Sequence, residues 1–422
     1  MSRTPLLVAC ALLALAALTV GGAGHATPGV ADGDSLQRLS GDQPVRVVDV
    51  SNTTNYLFPG SDSNRQAYVR ANVDVSSALA ASGTRLDSQL KAGTLDTRLS
   101  RASSGKRLAI VQAAVTDAER RLARLNASQR TLYQAYNNGT FSRQQFLRQL
   151  VRLEVRATEL EQLLDRLETS AEAHLRGSLP ASLETRLASL RSAVVVLPDP
   201  LTERMRASVL GNDTPLVVYT EGADDAVVLA TIDGPQYRRQ ATLLGEHHPD
   251  TPDQFEQGDQ QAIAQVVERT TELYPWAYSN DRQFSRRIES IGPATSIYRI
   301  EADHPQGSLA SYISGSTTNA FHEIQTLDPA TVPIHRIVSN ETATLNVTVT
   351  TTTESGPMYV ELATPAGVPQ NGTVFVDGQP VGTTGSDGSL WTVRPSGPFA
   401  LSVVGENGER VSLTPVRFLR TS

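Results

Sequence analysis

The sequence predicts a multi-domain chain: an N-terminal α-helical bundle with a long antiparallel helical hairpin, a central α+β domain and a C-terminal all-β sandwich. Three observations predict it. Apolar residues recur at steps of three and four through two stretches between positions 105 and 175. Apolar runs of strand type surround one helical pattern in 197–333. Short alternating runs, parted by Asp-Gly and Asn-Gly turns, fill 334–422.

Residues 1–26 read as a secretory signal peptide. Arg3 gives the single positive charge, Leu6–Val20 the apolar stretch and Gly21–Ala26 the small-residue region, with a cut expected after Ala26. An uncleaved anchor is the rival, since the uncharged run approaches the roughly 20 residues of a spanning helix. The glycine-rich end favours cleavage. Leu7-Val8-Ala9-Cys10 is similar to a lipobox, but the apolar segment continues about ten residues past Cys10, too far for a lipidated N-terminus. Cys10 is the one cysteine of the chain. A processed chain would therefore carry no disulfide and no thiol chemistry. An exported protein without disulfides needs domains large enough to stand alone.

The 422 residues allow two or three domains. Hydrophobic content of 39% and charged content of 19% fit a folded globular protein. The net charge of −7, or −8 without Arg3, argues against nucleic-acid binding, which needs a concentrated basic surface. The only lysines are Lys91 and Lys106, and arginine supplies every other basic residue. A GC-rich genome or a salt-loving organism produces that bias.

Residues 27–70 read as a polar linker, to Pro44, and one short strand over Val45–Leu57. The helical bundle takes 71–196. In its first arm, 105–136, Leu108, Val111, Val115, Ala118, Leu122 and Leu125 keep heptad spacing. In the second, 142–175, Phe146, Leu150, Leu153, Ala157, Leu160, Leu164 and Leu167 do the same. Ser142 and Gln145 form a capping box, and Asn137-Asn138-Gly139 lets the chain reverse. Leu147, Val151 and Leu163 widen the second stripe, which implies a further helix drawn from Val75–Leu99 or Leu183–Ala193. The coiled-coil spacing also suits dimerisation with another chain, but two matched arms joined by a short turn favour the intrachain bundle.

Leu197-Pro198-Asp199-Pro200 opens the α+β domain, 197–333. Pro215–Glu221 and Ala226–Ile232 form a hairpin about Asp224-Asp225, and Tyr237–Leu244 adds a third strand. Thr251-Pro252-Asp253-Gln254 reads as a helix start, followed by an amphipathic face through Ile263, Val266, Val267, Thr270 and Tyr274. Strands are expected at Ser296–Glu301, Ser308–Ser314 and Asn319–Leu327. The last domain, 334–422, carries six or seven alternating strands.

Gly372–Gly388, with Val376-Asp377-Gly378 followed by Gly382-Thr383 and Asp387-Gly388, resembles prealbumin-like and Ig-like modules of exported proteins. That implies a β-sandwich and no activity. The layout as a whole resembles exported haloarchaeal surface proteins of uncharacterised function. The residues carrying the likeness are Asn52–Pro59, the helical hairpin and Ser314–Gln325.

Chemistry-bearing patterns are weak. The chain has no Gly-x-Ser-x-Gly elbow, no phosphate-binding glycine loop and no His-Glu-x-x-His. Glu246-His247-His248-Pro249-Asp250 with Asp253 is the densest group of ligand-type residues, read as a polar loop rather than a metal site. His322, in Phe321-His322-Glu323, is expected to face solvent from a strand. Asp32-Gly33-Asp34, Asp224-Asp225 and Asp387-Gly388 lack the ligand spacing of calcium loops and read as turns. Trp276, between Tyr274 and Tyr278, reads as packing at a helix end. No catalytic, cofactor or metal residue is assigned. Sequons stand at Asn52, Asn126, Asn138, Asn212, Asn340, Asn346 and Asn371, more than random placement of asparagine gives, and N-glycosylation is expected at one or more.

The expectation is an exported, non-enzymatic envelope protein, secreted or cell-surface, with protein partners. It has no cofactor and no nucleic-acid partner, and touches the membrane only through an uncleaved leader. An extracytoplasmic protein that binds a small ligand or metal in the α+β domain is the second reading, and an exported hydrolase the third.

Overall fold

A buried antiparallel sheet, covered on both faces, organises the fold. The computed structural model describes residues 47–48, 56–60, 65–175, 179–197, 199–249, 251–255, 259–275, 285–291 and 296–416. All lie in one unit, Asp42–Ser422. The leader, most of the linker, Asn52, Asp32-Gly33-Asp34, Asp250, Trp276 and Tyr278 lie outside the described residues.

Four helices make the bundle. α1 (Val75–Arg101) starts on Asp74, whose Oδ1 accepts from Ser77 N at 2.7 Å. It stays continuous through Gly83 and Gly93. α2 (Ser104–Asn137) and α3 (Arg143–His174) are the expected hairpin arms. Gly139 at φ +80° makes the reversal, and the Ser142–Gln145 capping box starts α3. α4 (Ala181–Val195) completes a core of Leu95, Leu99, Val111, Val115, Leu160, Leu164, Leu167, Leu187 and Val194. Arg186 locks α4 to α2 by two bonds of 2.7 Å to the Glu119 carboxylate. The widened stripe of α3 meets more than helices. Leu147 and Val151 pack on a sheet face through Val69, Val218, Val227 and Leu229, while Leu163 stays in the bundle.

α5 (Pro200–Val209) begins where the sequence marked a boundary, with Asp199 as its cap and Pro200 in its first turn. Two short strands, β1 (Val47–Val48) and β2 (Tyr56–Leu57), pair with each other. β3 (Arg65–Ala71), inside the stretch read as linker, is an edge strand of the large sheet. β4 (Leu216–Ala223), β5 (Ala226–Asp233) and β6 (Gln236–Leu243) form one meander with it. β7 (Ser285–Ser290), β8 (Ile297–His304), β9 (Gly307–Ser314) and β10 (Ala320–Leu327) form a second. The meanders join where β6 pairs β10, giving the order β3-β4-β5-β6-β10-β9-β8-β7. The helix expected from Thr251 begins later, as α6 (Asp259–Leu273). Before it, Asp253 is engaged with Phe255 N and the Tyr298 hydroxyl instead of starting a helical turn.

Among the described residues, the C-terminal sandwich has eight strands in two four-stranded sheets. One holds β11 (Arg336–Glu341), β12 (Asn346–Thr351), β13 (Pro357–Ala363) and β16 (Ser389–Val393). The other holds β14 (Gly372–Val376), β15 (Gln379–Thr383), β17 (Phe399–Gly405) and β18 (Arg410–Val416). Its core runs into the large sheet, since Tyr68, Tyr219, Tyr237 and Leu327 join Val347, Val360, Val374 and Phe399 in one cluster. Tyr68 and Tyr237 also donate to the carbonyls of Val393 and Ser355, each at 2.5 Å.

Candidate functional site

The structure brings together the two polar stretches that the sequence singles out, 246–253 and 314–325. The cause is strand pairing. Thr242 of β6 lies opposite His322 of β10, so the chain leaves β6 beside the turn that enters β10. A single 3₁₀ turn, Leu244–Glu246, then lays His247 and His248 on that turn.

Side chains close the junction. His247 Nδ1 sits 2.9 Å from Ser314 Oγ, and its ring stacks on Phe321 at 4.6 Å. Ser314 Oγ is 2.8 Å from Ser316 Oγ, which accepts from His248 N at 3.0 Å. Thr317 Oγ1 donates to the Glu246 carbonyl at 2.7 Å, and Asn319 Nδ2 to the Glu246 carboxylate at 3.0 Å. Arg269 of α6 reaches in with two 2.9 Å bonds, to the carbonyl of Thr318 and Oδ1 of Asn319. These bonds hold Thr318 at φ +58°, which a β-branched residue rarely adopts. Gly315 is required, because a Cβ there would stand 2.3 Å from Asp253 Oδ1.

Ser314 and His247 have the spacing of a nucleophile and base. Their surroundings oppose that use. Ser314 is fully buried, and burial with the neighbouring His248 lowers His247 to about 4, so the ring is a weak base. Glu246 and Asp253 are each committed to protein donors. Among the described residues no group of three or more His, Cys, Asp or Glu is placed to hold a metal ion.

Two further polar clusters lie against the opposite faces of β10. His322 is buried, contrary to the expected solvent-facing position, because both faces of the sheet are covered. Its Nδ1 lies 2.9 Å from Thr242 Oγ1, and its Nε2 3.6 Å from Asp199 Oδ2. Thr202 Oγ1 donates to Glu154 of α3 at 3.1 Å. Burial raises Glu154 to about 7 and, with Glu154 nearby, raises Asp199 well above the carboxylate range. Desolvation lowers His322 to about 4. The cavity between Glu154 and His322 measures about 10 Å³, space for one water. On the other face, Glu323 accepts from Arg239 at 3.1 Å, Tyr274 at 2.7 Å and Leu57 N at 2.9 Å. A larger groove, about 1030 Å³, lies in the bundle among α1, α2 and α3.

Sequence reasoning missed Asp199, Glu154 and Arg239 as members of buried clusters. Glu154 had a signal: it continues the Leu147–Val151 stripe where an apolar residue belongs. Arg239 had none, since its partner lies on another strand. The sequons scatter. Asn126, Asn138, Asn212 and Asn340 are exposed, while Asn346 and Asn371 are half-buried. The amides of Asn340 and Asn371 donate to the Ser412 carbonyl at 2.7 Å and to Glu406 at 2.8 Å. Asp224 lies in the β4–β5 hairpin turn at φ +47°, and Asp387 in the turn that carries the chain from β15 in one sheet to β16 in the other, accepting from Ser389 N at 3.2 Å.

Residues 336–412 match the model of an archaeal fibronectin-III type-like domain, in agreement with the Ig-like module read from Gly372–Gly388. Residues 218–333 match a family of unknown function, DUF7094. No curated protein and no solved structure matches the chain. Residues 1–214, more than half of the 422, match the domain of unknown function DUF7096, and the chain belongs to that family.

Proposed function

We propose that this is an exported, N-glycosylated haloarchaeal envelope protein that works by protein contact rather than by catalysis. The observation that carries the reading is the fibronectin-III type-like domain sharing a core with the central sheet, and the leader-like pattern of residues 1–26 supports it. Such a domain suits a surface protein, and sharing a core makes it a rigid arm rather than a tethered bead. The near-absence of lysine and the Ser314–Gln325 likeness favour a haloarchaeal source. Four sequons on exposed positions favour glycosylation. The contact role draws support from the cluster around His247, whose groups bond to each other. The His322 cavity, about 10 Å³, is far below the roughly 300 Å³ of a small-ligand pocket.

Crosslinking on intact cells, followed by mass spectrometry of captured partners and of the N-terminal peptide, tests the proposal. Envelope proteins should be captured, with a chain that starts at Thr27 and glycopeptides at one or more of Asn126, Asn138, Asn212 and Asn340. A chain found in the cytosol with its leader intact, or one that purifies with a stoichiometric small molecule or metal, overturns it.

A further inference from the structure

α1 carries its larger apolar side chains on the face turned away from the bundle. Against α3 it buries Ser77, Ala81 and Ser88, with bulk only at Leu95 and Leu99. On the opposite face Val75, Leu79, Leu86 and Leu90 are 69%, 69%, 57% and 63% exposed. At about 100° per residue these four form one stripe. Ser82 and Gly83 lie at its middle, and a Cβ at Gly83 would meet nothing within 4 Å. Single exposed apolar residues are ordinary, whereas an aligned row marks a contact surface.

The row is symmetric. Val75 and Leu90 stand equally far from the Ser82–Gly83 bond, and so do Leu79 and Leu86. An antiparallel copy turned about a twofold at that bond sets Val75 against the partner's Leu90 and Leu79 against the partner's Leu86. The small residues fall at the crossing, where they let two helix axes come close. A foreign partner has no need of this symmetry, but a self-complementary twofold contact requires it.

We infer that a second copy of this chain occupies the stripe, as an antiparallel α1 pair centred on Ser82–Gly83. The paired span of sixteen residues is about 24 Å long, a small interface, so the dimer forms at high local concentration. The pairing does not depend on export or glycosylation.

The test uses cysteine crosslinking in cells expressing the full chain with Cys10→Ser. Ser82→Cys, at the twofold, is expected to give a disulfide-linked dimer on mild oxidation. Thr97→Cys, on the same helix but far from the axis, should give at least tenfold less. Leu79→Glu with Leu86→Glu should abolish the Ser82→Cys dimer without lowering helix content, since both side chains are exposed. Equal crosslinking through Thr97→Cys would mean parallel or random contact and overturn the proposal. So would a protein that stays monomeric in sedimentation at high micromolar concentration, or a stripe that pairs only after residues 27–46 are deleted.

Discussion

Asp199 Oδ2 and His322 Nε2 face each other at 3.6 Å in the buried seam between α5 and β10. Burial acts on them in opposite directions. It raises Asp199 well above the carboxylate range and lowers His322 to about 4, so it disfavours the charged form of each. Glu154, across the same cavity, follows Asp199. The stability of the seam therefore depends on pH.

Glu154 sets the alkaline limb. Its carboxyl is raised from 4.5 to about 7 by burial. The unfolded chain ionises first, so the stabilising share is full below the unfolded value and lost as pH rises through about 7. Glu154→Gln should melt near the unaltered protein at about pH 4.5 and above it at about pH 8. The gain is up to about 3 kcal/mol. An offset equal at both pH values in thermal melts would refute this.

Histidines set the acid limb, with the opposite sign. His322, His247 and His304 are each lowered from 6.5 to about 4, chiefly by desolvation. Each stabilises above the unfolded value and loses that share as pH falls through about 4. The urea midpoint should drop on acidification across that window. His322→Gln should make the drop shallower. An unchanged slope in this variant would assign the acid sensitivity elsewhere.

Arg239 and Glu323 are both buried, and Leu57 is held by both partners. Removing one partner strands the other without solvent, so Glu323→Ala should cost about 3–5 kcal/mol. Arg239→Leu with Glu323→Leu should cost less than the single change, and hydrogen exchange at the Leu57 amide should rise in both. Additive losses in urea denaturation would contradict the coupling.

Two glycines should respond in opposite directions. Gly93 of α1 has open space around it, so Gly93→Ala should stabilise by about 0.5–1 kcal/mol through helix propensity. Gly307 sits at φ +149° with the Thr326 carbonyl oxygen 2.0 Å from any Cβ. Gly307→Ala should cost more than about 2 kcal/mol, measured as the shift in melting temperature. A stabilised Gly307→Ala would disprove the β9–β10 register.

Local rules explain what was legible beforehand. Heptad steps, the Ser142–Gln145 box and Asn138-Gly139 determine the α2–α3 hairpin, because each acts within a few residues. Period-2 alternation determines most strands for the same reason. It failed at His322, where alternation predicts one wet face and the fold dries both. It also passed over Arg65–Ala71 and Ser285–Ser290, whose strand character comes from the neighbours they pair with.

By itself the sequence determined the three structural classes along the chain and the turns that separate them. Only tertiary structure decided that β6 lies beside β10, and with it that Glu246–Asp253 meets Ser314–Asn319. Only tertiary structure set Asp199 against His322 and turned Leu79 and Leu86 of α1 outward. The physical reason is range: backbone propensity and side-chain period act over a few residues, whereas burial, and the pKa shifts it causes, depends on segments far apart in the sequence.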